Sequence, residues 1–207
     1  MICIVSHTNI TVLMKSFILR YGLFAGGIIL VCGVILWPLF PDPAEAGTIG
    51  MAVGFAFMGA AMSFVYFGVR EFRASQGGSI SFYAALRCGL AIAGIAAVFY
   101  VLAWEITYAT ALSDFAERYG EFLLREFEAT SPSKIQLMDK RAEVESFVTS
   151  YHLWYVRMPY TLMEILPIGI LASLLSAAIL RKKLYDTQRR AQRSAAKPRS
   201  AQRSAQR

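Results

Sequence analysis

Apolar residues are gathered into four long blocks, at 21–39, 49–69, 86–107 and 160–180, with charge concentrated between them. Each block reaches the length, about 18 residues or more, at which an apolar helix crosses roughly 30 Å of hydrocarbon. Backbone polar groups inside lipid must be satisfied within the segment, so blocks this long predict helices. The third follows a Gly77-Gly78 turn, and Ser81 is placed to cap its N-terminus. The pattern between the third and fourth blocks is different. On a helical wheel Phe115, Tyr119, Phe122, Leu123 and Phe127 share one side and Asp114, Glu117, Arg118, Glu121, Arg125 and Glu128 the other, which predicts an amphipathic helix. A second helix is expected to start at Ser131 with Pro132 in its first turn. Its apolar positions would be Leu137, Val144, Val148, Tyr151 and Tyr155. The fold expected is all-α: a polytopic four-span bundle with a helical extramembrane loop at 109–159. That loop either caps the bundle or extends the third and fourth spans as a hairpin. The mixed charge of its first helix argues for packing on protein rather than on lipid.

Composition agrees with this picture: 56% of the 207 residues are apolar and 17% charged, against roughly 45–50% and 25% in soluble domains. Charge adds orientation. Lys15 and Arg20 precede the first span, Arg70, Arg73 and Arg87 flank the second loop, and Arg181-Lys182-Lys183 follow the last span, whereas the first loop has Asp42 and Glu45 but no base. Positive segments alternate with non-positive ones, so both termini are expected in the cytoplasm and the protein in a bacterial inner membrane. The net charge of +7 is not spread evenly, because the third loop has eight acids against six bases. The basic flank suits contact with anionic lipid. Nucleic acid is not expected as a partner, since the Arg-rich tail lacks interleaved aromatics. The tail, 184–207, repeats AQRSA and has too little apolar bulk to fold, so disorder is expected there. The leading residues, 1–14, read as an extension outside the fold, Met14-Lys15 resembling a start. The membrane domain is then 15–183.

Within the spans, small residues recur every fourth position: Gly22 and Gly26; Gly50 and Gly54; Ala85, Gly89, Ala93 and Ala97; Gly169, Ser173 and Ala177. Such stripes let helix backbones approach closely where lipid removes the hydrophobic drive. They favour one compact bundle, and they also leave room for a homodimer or a membrane-protein partner.

Two acids stand in apolar surroundings. Counted from Arg87 and from Arg181, Glu105 and Glu164 both fall about 26 Å above the inner boundary, just under the outer interface. Ionisable groups at such depth mark candidate sites. The candidate polar site comprises Glu105, Glu164, Pro167, Arg157 and Tyr160. Pro167 loosens the helix near Glu164. If the acids face each other, they suit a shared proton, a cation or an amine. The plainer reading is anchoring, with Glu164 met by Tyr160, Thr161 or Arg157 and Glu105 by Tyr108. Cys3, Cys32 and Cys88 show no disulfide or metal spacing, and no phosphate loop, nucleophile elbow or zinc motif is present, so no cofactor is expected. His7 and His152 read as surface residues.

The stretch YFGVREFRASQGGSISFYAALRCGL, residues 66–90, has a span end, a basic segment, Gly-Gly and a helix start. With MEILPIGILASLLSAAILRKK, residues 163–183, it resembles the DUF4199 family of bacterial membrane proteins, over about Lys15 to Lys183. Glu164 and Pro167 stand where that family's closing-helix motif has them. The resemblance implies four spans with both ends inside and brings no known activity. The function expected is a non-enzymatic structural or partner-binding membrane component. The alternatives are a small carrier or proton-coupled channel using Glu105 and Glu164, and an intramembrane enzyme, for which no catalytic constellation is visible.

Overall fold

The computed structural model describes residues 2–39 and 47–181. Asp42, Glu45, Lys182, Lys183 and the tail at 184–207 lie outside the described residues. The elements are α1 (Ile2–Leu36), closed by a 3₁₀ turn at Trp37–Leu39, α2 (Gly47–Ser75), α3 (Phe82–Thr110), α4 (Phe115–Ala129), α5 (Lys134–Tyr151) and α6 (Trp154–Leu180). Four helices are long and apolar enough to span a membrane: Met14–Ile35, Ala52–Ser75, Phe82–Thr110 and Trp154–Leu180. All four predicted spans are present, and their helices overrun the apolar blocks. α1 begins at Ile2, so the leading residues continue the first span's backbone helix.

The spans close a ring in the order α1–α3–α6–α2, with α2 and α3 also touching across the diagonal. Small residues set this arrangement. A Cβ on Gly22 would lie 2.8 Å from Ile95, one on Gly26 2.5 Å from Phe99, one on Gly89 3.0 Å from Ser173, and one on Gly169 3.0 Å from Ala93. The stripes therefore face neighbouring helices of the same chain, which is where the missing Cβ atoms allow close approach. Ala85, Ala93, Ala97, Ser173 and Ala177 are buried with them, as is Cys88. Larger side chains fill what remains, chiefly Ile29, Met62, Val65, Phe72, Ile92 and Ile165. Leu23, Phe24, Val31, Val98, Leu102, Leu171 and Ile179 point outward, as lipid-facing side chains do.

α2 ends on Gly77 and Gly78, both at positive φ (71° and 78°), which glycine adopts without steric cost. The Gly78 N–H donates to the Arg73 carbonyl at 3.1 Å, closing the last turn. Ser81 caps α3 as expected, its Oγ accepting from the Ala84 N–H at 3.2 Å. At this end Glu71 accepts from the Tyr21 hydroxyl and lies 3.8 Å from Arg20, tying α2 to α1.

α4 and α5 form an antiparallel hairpin packed on protein. Gly120 is buried where α4 crosses α5, and a Cβ there would meet Val144 at 2.9 Å and Val148 at 3.0 Å. The second loop helix begins at Lys134, later than expected. Ser133 and Gln136 form a capping box, and Ser131 turns to φ 55°, leaving Pro132 ahead of the cap. Tyr155, assigned by periodicity to this helix, belongs to α6 and is exposed.

Candidate functional site

The C-terminal end of α3 and the N-terminal end of α6 meet the hairpin through one polar and aromatic cluster. Its centre is Arg157, 5% exposed, near the start of α6. The Arg157 Nε–H donates to Glu105 Oε1 at 2.8 Å and Nη2 donates to Oε2, a two-point fork between α6 and α3. Nη1 donates to the carbonyls of Tyr151 at 3.0 Å and His152 at 3.4 Å, the last acceptors of α5. The guanidinium also lies 3.8 Å from the centroid of the Tyr108 ring, in cation–π geometry. One cation thus joins α3, α5 and α6 and meets the carbonyl end of a helix, where positive charge is favoured.

Beside it, the Tyr108 hydroxyl lies 2.8 Å from His152 Nδ1, and His152 Nε2 lies 3.0 Å from Glu117 Oε1. A neutral imidazole carrying its proton on Nε2 satisfies both contacts, accepting from Tyr108 and donating to Glu117. This brings α4 into the same cluster. The apolar half is a group of rings. The Trp104 indole N–H donates to the Tyr151 hydroxyl at 3.1 Å, Trp104 meets Phe115 edge-on at 5.1 Å, and Phe147 lies 5.2 Å from Tyr151. Burial pushes the Tyr151 phenol well above its ordinary range. Trp37 joins from the end of α1, 5.9 Å from Trp104.

Glu164 has a different environment. It is exposed on the outer surface of the bundle, and its Oε2 accepts from the Tyr100 hydroxyl of α3 at 2.8 Å. Arg157 does not reach it, and the Thr161 hydroxyl is spent on the Arg157 carbonyl at 3.1 Å. Tyr160 makes no hydrogen bond to Glu164, and its ring lies 6.0 Å from Phe147 and 6.2 Å from Tyr151. The expected local partners of Glu164 are thus replaced by one across the helix pair. Glu105 likewise passes over Tyr108 for Arg157.

The two acids are not at one depth. α3 and α6 run antiparallel through the facing pairs Glu105–Arg157, Tyr100–Glu164, Ala93–Gly169 and Gly89–Ser173. In this register Glu164 stands level with Tyr100, five residues or about 7 Å deeper than Glu105. Counting from Arg87 and Arg181 misled because those arginines are not level with each other. A cleft between α1, α2 and α3, lined by Ile29, Trp37, Phe57, Tyr100 and Trp104, contains neither acid.

Of the basic flank, Arg70, Arg87 and Arg181 are exposed, and the Arg73 Nε–H donates to the Gly78 carbonyl at 3.1 Å. Sequence reasoning missed the Glu117–His152–Tyr108 chain and the Glu71–Tyr21 contact. Their members lie 35, 44 and 50 residues apart, and no local periodicity signals such pairings.

Neither a curated protein nor a solved structure matches the chain. A family described as a protein of unknown function, DUF4199, matches residues 20–182, and this span takes in all the clusters above. With a four-span bundle, a basic Gly-Gly turn and a Glu164–Pro167 closing helix inside the matched region, the chain belongs to the DUF4199 family.

Proposed function

We propose that the chain is a non-enzymatic structural or partner-binding component of the bacterial inner membrane, with both termini cytoplasmic and the α4–α5 hairpin outside. The observation that carries this reading is the separate placement of the two acids. Glu105 is forked to Arg157 between α3 and α6, whereas Glu164 lies on the outer surface of the bundle, held by Tyr100. A carrier centred on these residues needs both carboxylates on one water-reachable path. Their pairing instead fixes the geometry of α3, α6 and the hairpin, which is what an anchor does. The hairpin also presents Ile135 (73% exposed) and Met138 (71%) to solvent, which supports a binding role for it. The exposed bases Arg70, Arg87 and Arg181 suit an anionic leaflet.

The test has two parts. A reporter fused after Lys183 should be active in the cytoplasm and inactive outside. In proteoliposomes loaded with a pH-sensitive dye, the wild-type chain should pass protons no faster than empty vesicles. A flux abolished by Glu105→Gln or Glu164→Gln would overturn the reading in favour of a carrier.

A further inference from the structure

One face of α6 presents acceptors without matching donors. Glu164 Oε2 is held by Tyr100, while Oε1 has no hydrogen-bond partner among the described residues. Met163 beside it is 72% exposed, and Pro167 has no N–H to return to the Met163 carbonyl one turn earlier. One turn outward Tyr160, 47% exposed, stands over the same region with its ring against Tyr151. Side chains lean toward the N-terminus of their helix, which in α6 is the hairpin end, so the carboxylate leans toward these rings. Arg157, the nearest cation along α6, is committed to Glu105.

We propose that this notch binds the ammonium headgroup of a phospholipid in the leaflet at the hairpin end. The carboxylate and the freed carbonyl accept its N–H groups, and the exposed Tyr160 ring offers its face to the charge. The acceptors left open there face lipid and favour a donor cation, and an ammonium brings three donors. Aromatic faces add cation–π attraction. Depth favours a headgroup. Glu164 lies sixteen residues, about 24 Å, from the inner end of α6, which places it about 6 Å inside the edge of a roughly 30 Å core. The site requires only that the bundle span the membrane, whatever the hairpin binds.

The test is native mass spectrometry of the purified full chain with added lipids of matched acyl chains. Phosphatidylethanolamine should be retained at about tenfold lower concentration than N-acetyl-phosphatidylethanolamine or phosphatidylglycerol, a difference of about 1.4 kcal/mol. Equal retention by the wild-type chain would overturn the proposal, and that comparison needs no variant to fold. In a folded Glu164→Gln variant the preference should vanish, and its survival would place the amine elsewhere. Tyr160→Phe should keep the preference and Tyr160→Leu should weaken it. If millimolar free ethanolamine displaces the lipid, the site belongs to a soluble amine. If Glu164 instead cross-links to a basic span of another protein without any lipid preference, it is a protein contact. Either result defeats the headgroup assignment.

Discussion

Arg157 and Glu105, fifty-two residues apart, meet through two hydrogen bonds at the point where α3, α5 and α6 converge. The Arg157 side chain is 6% exposed and that of Glu105 27%. Removing one partner of such a pair leaves a desolvated charge, so Arg157→Leu and Glu105→Gln should each lower stability by about 2–4 kcal/mol. Arg157→Lys should not restore it, because an ammonium cannot fork to a carboxylate, cap α5 and lie on Tyr108 at once. Thermal unfolding in detergent, followed by helix signal, checks this. A Lys variant as stable as the wild type would refute it.

Gly89→Leu should separate α3 from α6, since even a Cβ there lies 3.2 Å from the Ser173 backbone. An overpacking cost of about 1–3 kcal/mol is expected. Gly94→Leu is the control: the same helix has open space there and should accept the change. Midpoints of unfolding for the two variants measure the difference.

Gly120→Val should pry the hairpin open without harming the bundle, because its Cβ meets only Val144 and Val148. Limited proteolysis should then cut near Ser131 faster, while the spans stay protected. Equal protection of the hairpin in the variant would show that the α4–α5 contact is not tight.

Alkaline pH should act on Tyr151. Its phenol is pushed up by burial, so folding favours the neutral form. That contribution is fully present below the unfolded tyrosine value of about 10 and is lost as pH rises through the folded one. Tyrosinate absorbance of the wild type should therefore show one more late-ionising tyrosine than Tyr151→Phe, and the variant should lose less stability above about pH 10.

Span number was legible in the sequence because run length is a local signal. So were the small-residue stripes and the Ser81 cap. The pairing of polar groups was not. Which residue meets Glu105 or Glu164 depends on how α3 and α6 slide past each other. That register is fixed by contacts such as Gly89 on Ser173 and Ala93 beside Gly169, and distances from the flanking arginines do not set it. His152 is at the surface as expected, but nothing near it in sequence shows Glu117 and Tyr108 waiting on other helices. The start of α5 was displaced because Ser131 and Ser133 are both plausible caps, and only Ser133 has a Gln three residues later.

The hairpin is fastened to the spans through Tyr108, Trp104 and Glu105 on α3 and Arg157 and Tyr160 on α6. A pull on it therefore loads one adjacent helix pair of the ring and leaves the α1–α2 side as ballast. Strain applied at the hairpin would travel along the α3–α6 seam and emerge at the Gly77-Gly78 turn and at Arg181.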